Sequence, residues 1–224
     1  RDLHLSLRRQ RQMCIRDRQY VTTPMWSVPL FKTNIGKPDP ITMAWIKNLE
    51  YPHEASGHDH TEDKYILERP KLKKLKIKLK EVCDFFVHQE MGVKEDVDFE
   101  IQNSWINRHQ QGEHNTLHWH SNAMLSAVYY IQNEPNAGQI LFKRSHLHYN
   151  LFHDTVRVDF KDEVQNQYNL DLFAVEPISG DLVIFPSHVE HMVTHNETTT
   201  ERYSLAFNLF ARGHVGAGTS QIKL

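Results

Sequence analysis

The residues best suited to chemistry are two histidines two positions apart, in the stretch Asn115-Thr116-Leu117-His118-Trp119-His120. In an extended segment alternate side chains share a face. Both imidazoles then stand on one side of a strand, roughly 6.5 to 7 Å apart along it, within reach of one metal ion. A third ligand is available about seventy residues on, in Phe185-Pro186-Ser187-His188-Val189-Glu190-His191. His188 and His191 differ in parity, so a regular strand turns only one of them inward. His191 is the better choice, because His188 directly follows a Pro-Ser bend and is placed for solvent. Any one of these histidines, taken singly, reads more readily as a buried structural residue.

A second constellation lies in Arg202-Tyr203-Ser204-Leu205-Ala206-Phe207-Asn208-Leu209. One face of this strand, Tyr203, Leu205, Phe207 and Leu209, must pack on something apolar. The other carries Arg202, Ser204, Ala206 and Asn208. An Arg fork with a hydroxyl two positions away makes a socket for a carboxylate. The competing reading is that this polar face simply meets water, and periodicity alone does not separate the two.

These residues need a scaffold of short strands, and after Gly92 the texture supplies one. Strands are expected near 98–109, 115–120, 124–132, 139–143, 155–160, 171–176, 182–186, 190–195 and 202–210. The best turns between them are Asn136-Ala137-Gly138 and Ser179-Gly180-Asp181. Trp119, pointing opposite to its two histidine neighbours, is expected in the core. Upstream, 26–31 alternates like a strand. A stripe of Ile41, Ala44, Trp45 and Leu49 fits a helix over 38–49 opened by Asp39-Pro40. Residues 70–91 form the clearest helix, with Leu72, Leu75, Leu79, Val82 and Phe86 on one face and six lysines between Lys71 and Lys80. No aromatic or Arg is interleaved with those lysines, so they read as a solvated face and not a nucleic-acid patch. The polar stretch 51–64 reads as a loop, and ordering His53, His58 and His60 there around a second metal would cost entropy, so they are expected in solvent.

Composition narrows the classes. With 224 residues and 39% hydrophobic content, one sizeable core is the default, burying about 70% of the unfolded surface. A net charge of -2 offers no reason to expect nucleic acid or an anionic membrane as partner. No run reaches the ~18 apolar residues of a membrane span, and two cysteines, Cys14 and Cys83, suit a reduced compartment. The expected localisation is cytoplasmic. The expected organisation has four parts: a non-native or disordered segment 1–18, which resembles a translated sequencing-adapter end, a helical buttress 19–97, a β core 98–212 and a tail 213–224.

Taken together, His118-x-His120, Ala127-Val128-Tyr129-Tyr130-Ile131, Gly138-Gln139-Ile140-Leu141-Phe142, Pro177 with Gly180-Asp181-Leu182 and Phe185, His191, and Arg202-Tyr203-Ser204 form a pattern. It resembles the 2-oxoglutarate and iron(II)-dependent oxygenases, especially the prolyl-hydroxylase-like branch with its microbial and phage members. The resemblance covers about residues 98–210, including the eleven positions from His191 to Arg202. It implies a mainly β fold, a double-stranded β-helix or cupin-like jelly roll, with the helices of 38–91 packed on one sheet.

By the same resemblance, His118, His120 and His191 hold iron(II), while Arg202 and Ser204 grip the distal carboxylate of 2-oxoglutarate. Tyr129 or Tyr130 makes another cosubstrate contact, with Asn115 and Asn208 as weaker candidates. The implied activity is hydroxylation: oxygen and 2-oxoglutarate are consumed, succinate is formed, and a carbon of a small-molecule or peptide substrate is oxidised, with ascorbate as an optional reductant. His109, His114, His146, His148, Tyr149 and His153 are candidates for the mouth. The departure from the family pattern is His120, where an Asp or Glu is expected. Three neutral imidazoles can still hold a ferrous ion, and they also suit zinc. The alternatives are therefore a three-His cupin-like dioxygenase without cosubstrate, a zinc enzyme, or a non-catalytic jelly-roll module stabilised by metal. Neither the substrate's identity nor the oligomeric state is implied.

Overall fold

The computed structural model describes residues 23, 27–53, 57–144, 159–161 and 163–224. Segment 1–18, the mouth candidates His146, His148, Tyr149 and His153, and residues 155–158 of one expected strand lie outside them. Residues 159–160 carry no strand.

The period-two alternation of 202–209 becomes the centre of a large antiparallel sheet. Strand β10 (Arg202–Val215) pairs with β3 (Val97–His109) on one side and β5 (Leu125–Gln132) on the other. Beyond β5 come β8 (Asp181–Pro186) and β1 (Phe31–Asn34); beyond β3 comes β2 (Asp59–His60), and β11 (Ile222–Lys223) extends the far end of β10. A smaller sheet runs β4 (Asn115–His118), β9 (His191–Val193), β6 (Ile140–Lys143), β7 (Leu172–Val175). Between the sheets lies an apolar cluster that includes Ile140, Phe142, Val183 and Phe185. This is a double-stranded β-helix.

The other face of the large sheet is covered by helices. Helix α1 (Pro40–Lys47) starts where Asp39 Oδ1 accepts from the backbone N–H of Ile41 and Thr42, both at 3.0 Å, with Pro40 in its first turn. Helix α2 (Lys73–Asp84) continues from a 3₁₀ turn at Pro70–Leu72 into a π-helical turn at Phe85–Glu90. Its buried stripe is Leu72, Leu79, Cys83, Phe86 and Val87, packed with Tyr203, Leu205, Phe207 and Leu209 of β10. Among the described residues no helix is long and apolar enough to cross a membrane.

Three local expectations are corrected. The N-terminal strand begins at Phe31 instead of near residue 26, because Pro29 has no N–H to give to a ladder. The 51–64 stretch is no solvated loop throughout: β2 docks on β3 with His60 opposite Asn107, leaving His58 and His60 only 6% and 7% exposed. His53 is solvent-facing, with 67% of its side chain exposed. Trp119 is 60% exposed and not core. It lies just past the end of β4, the edge strand of the smaller sheet.

Candidate active site

The large sheet's inner face is built in rows, because residues directly opposite on antiparallel strands share a face. From one end, the rows are His109 with Arg202; His60, Asn107, Ser204 and Tyr130; Trp105, Ala206 and Val128; and Asn103, Asn208 and Ser126. The first three rows line a cavity of about 310 Å³ that the smaller sheet closes with His118, His191 and Val193.

The three ligand candidates converge there. His118 and His191 are register partners on β4 and β9. His120, just past the end of β4, is tied by its backbone N–H to Ser187 O at 3.0 Å. One ring nitrogen from each of the three lies within 4.8 Å of the others. Their second nitrogens are already engaged. His118 Nδ1–H donates to Thr116 O (2.7 Å), His191 Nδ1–H to Val189 O (3.0 Å) and His120 Nδ1–H to Asn208 Oδ1 (2.6 Å). With the proton fixed on Nδ1, each Nε2 carries a lone pair toward the shared centre, as a neutral imidazole ligand requires. Burial, helped by the neighbouring His118, pushes His191 down to about 3. Burial also lowers His120, against the opposing pull of Asn208. The set therefore fits a divalent metal as three neutral donors, and no carboxylate lines the cavity.

At the far end, Arg202 is 1% exposed. Its Nη1 donates to Ala137 O at 2.8 Å, but its Nε has no partner, and among the described residues no carboxylate pairs with it. Burial pulls it down to about 10, so it stays charged at neutral pH. Beside it the Tyr130 hydroxyl is also buried without a partner. A buried, unpaired guanidinium is costly unless an anion completes it, and Arg202, Ser204 and Tyr130 together fit a carboxylate. Gly138 makes room for this arrangement. It has φ +105°, and a Cβ there would collide with the Arg202 guanidinium and stand 2.6 Å from Thr194 O.

The other named candidates divide. Tyr129 turns to the opposite face, into the helix-covered core, where its hydroxyl donates to Gly36 O at 2.7 Å. It cannot contact a ligand in the cavity, since adjacent strand residues alternate faces. Asn208 does not line the cavity either. It holds His120, and is itself oriented by Nδ2 donating to Asn103 Oδ1 at 2.9 Å. Asn115 does line the cavity, between His109 and His58. His188 is exposed.

Five polar or aromatic lining residues escaped the motif reading: His58, His60, Lys64, Trp105 and Asn107. His58-Asp59-His60 repeats the His-x-His spacing of the ligand pair, and Trp105 and Asn107 share the parity of His109, so the signals were present. Another group, His53, Asp59 and Glu113, also brings three ligand atoms within 4.8 Å. There the Asp59 carboxylate is already gripped by Arg108, at 2.5 Å from Nη2 and 3.1 Å from Nε.

Residues 103–208, which carry every candidate ligand, match the model of a family described as "Putative 2OG-Fe(II) oxygenase". No curated protein matches the chain. Among solved structures, a Pseudomonas putida prolyl-4-hydroxylase is similar over 84% of this chain and 95% of its own, with 17% identity and a TM-score of 0.52. HygX from Streptomyces hygroscopicus, solved with nickel, 2-oxoglutarate and hygromycin B bound, is similar over 81% and 82%, with 12% identity and a TM-score of 0.52. A Trichoplax adhaerens prolyl hydroxylase, in complex with a hypoxia inducible factor peptide fragment, covers 81% and 83% at 11% identity and a TM-score of 0.52. The matched family is thus described as oxygenases of the superfamily that the motif order resembles, and the solved structures share the fold.

Proposed function

We propose that this chain is a 2-oxoglutarate- and iron(II)-dependent oxygenase that hydroxylates a small-molecule or peptide substrate. The observation that carries the reading is the pairing, in one cavity, of three imidazole nitrogens within 4.8 Å of one another with a buried Arg202 whose Nε has no partner. HygX with 2-oxoglutarate bound and the Trichoplax adhaerens prolyl hydroxylase with its peptide lend support at the level of fold.

His118, His120 and His191 would hold the metal. Iron bound there would supply the redox chemistry that couples decarboxylation of 2-oxoglutarate by oxygen, giving succinate and carbon dioxide, to insertion of the second oxygen atom into a substrate C–H bond. The chain's own part is to bind and orient. Arg202, Ser204 and Tyr130 take the distal carboxylate, so that the oxo-acid end faces the histidines. The backbone oxygens of Thr116 and Val189 and the Asn208 amide fix the three rings, so no reorientation is needed when metal enters. Val128, Ile140 and Val193 line the cavity and exclude water from its middle. Three neutral ligands leave the metal its full double charge, which favours a dianionic cosubstrate.

The same neutral donor set favours a second reading, a zinc enzyme with a bound water. Anaerobic titration with iron(II) and 2-oxoglutarate separates the two. The oxygenase reading expects a metal-to-ligand charge-transfer band in the wild type and in His120→Asp. Succinate should then form once oxygen is admitted, even without substrate and more so with ascorbate. No band in either protein, with hydrolytic activity on zinc loading, overturns it.

A further inference from the structure

The Arg202 end of the cavity contains one more buried polar group without a partner, on a residue expected from the sequence only at the mouth. His109 ends β3 directly opposite Arg202 in the register, so the two side chains stand next to each other on the cavity face. His109 is 1% exposed, lines the cavity, and its Nδ1 has no hydrogen-bond partner. Arg202 Nε and the Tyr130 hydroxyl share that condition. Three of the four such side-chain atoms among the described residues therefore belong to residues that line this cavity, and each costs roughly 1–3 kcal/mol when nothing completes it.

Which kind of group completes them depends on where His109 carries its proton, and the neighbouring side chains decide that. Trp105 Nε1–H donates to Asn107 Oδ1 at 3.0 Å, which identifies that atom as an acceptor. His58 Nε2 faces the same Oδ1 at 3.2 Å, so this nitrogen bears the hydrogen. The Asn115 amide stands between the two imidazoles, placed with Nδ2 3.2 Å from His58 Nε2 and with Oδ1 in hydrogen-bond contact with His109 Nε2. The two ends of an amide have the same shape, and only the surrounding bonds tell them apart. With His58 Nε2–H already a donor, that placement sets the Asn115 NH₂ against another N–H; exchanging the two ends of the amide removes the conflict, with the Asn115 oxygen accepting from His58 and its NH₂ donating to His109 Nε2. His109 then carries its single proton on Nδ1. Burial and the nearby Arg202 charge hold His109 far below its ordinary value, so it is the neutral tautomer. The stacked His58 ring, 4.8 Å away and within 4° of parallel, keeps it from swinging out.

We propose that His109 is a second anchor for the distal carboxylate of the cosubstrate, donating its Nδ1–H to one oxygen while Arg202 holds the other. This rests on the reading of the cavity as a 2-oxoglutarate site. It also gives the His58–Asn107–Asn115 chain a role, that of presetting the tautomer of a binding residue.

Calorimetric titration of iron(II)-loaded protein, without oxygen, tests it with two ligands. 2-Oxoglutarate carries the distal carboxylate; 2-oxopentanoate has the same five carbons and lacks it. For His109→Phe the Kd of 2-oxoglutarate should rise about tenfold, equivalent to ~1.4 kcal/mol. The affinities for 2-oxopentanoate and for iron(II) alone should not change. His109→Asn puts an amide NH₂ near the position of Nδ1 and should recover binding to within about threefold. Nitrogen-15 spectra of the wild-type imidazoles should show the His109 proton on Nδ1, with a shift when 2-oxoglutarate is added. Equal weakening of both ligands would mark a structural residue and overturn the proposal, as would unchanged binding of 2-oxoglutarate to His109→Phe. A wild type that binds iron but no 2-oxoglutarate at all would overturn the cosubstrate reading itself.

Discussion

On one side of β10, Tyr203, Leu205, Phe207 and Leu209 pack under the helices, each no more than 1% exposed; on the other, Arg202, Ser204, Ala206 and Asn208 are 1–5% exposed. Burial hardly distinguishes the two faces. Satisfaction does: the apolar face has no polar atoms to pair except the Tyr203 hydroxyl, which donates to Glu201 at 2.6 Å, while the cavity face holds a guanidinium with an unpartnered Nε. The first face is complete in the folded chain and contributes stability. The second keeps an unpaired buried donor in the folded chain, a cost that the stability of the first offsets.

The largest effect expected from this contrast is on the apolar face. Phe207→Ala should lower the unfolding free energy by about 3–5 kcal/mol, read as a fall in the urea midpoint at unchanged slope. Arg202→Met should do the reverse. It removes a buried charge without an anionic partner, so the midpoint should stay or rise, while 2-oxoglutarate binding to the iron-loaded protein weakens about 100-fold. An Arg202→Met protein that unfolds as readily as Phe207→Ala would break the comparison, because Arg202 would then be structural.

The smallest effect lies at the sheet edge, where Asp59 on β2 meets Arg108. Burial works to raise the Asp59 carboxyl, but its bonds with Arg108, His53 and Gln110 outweigh it and hold the carboxyl below its ordinary value. A carboxyl depressed in the folded state stabilises above its unfolded value, and that contribution is lost as pH falls through the folded one. Asp59→Asn should therefore cost about 1–3 kcal/mol at pH ~7, and the gap to wild type should shrink below pH ~4. A gap independent of pH would show that the ion pair is not its source.

Much of the site was readable because its signals are local. His118 and His120 share a face by parity, His191 follows a bend that disposes of His188, and the two faces of 202–209 separate by period two. What parity could not decide was anything set by a partner element. Tyr129 and Tyr130 are adjacent, so one faces the cavity and the other the helices, and only the position of the sheet says which. Trp119 alternates with its histidine neighbours in the sequence, yet whether it is covered depends on a layer that the hexapeptide does not encode. Asn208 has the parity of Arg202 and Ser204, but it lies one row beyond the cavity, under His120.

His58 and His60 show the limit most plainly. In a Pro- and Gly-containing polar stretch they read as solvated, and two paired residues are too short to leave a strand pattern. Docked on β3, the same residues become a buried wall of the cavity. The sequence by itself determined the donor types, their order and their facing, because side-chain direction along a strand is a property of the backbone. Only the tertiary structure decided which of those faces meet, since closing the two sheets brings together residues as distant in sequence as His120 and Asn208, 88 positions apart. That closure turns a row of histidines and an arginine into one site.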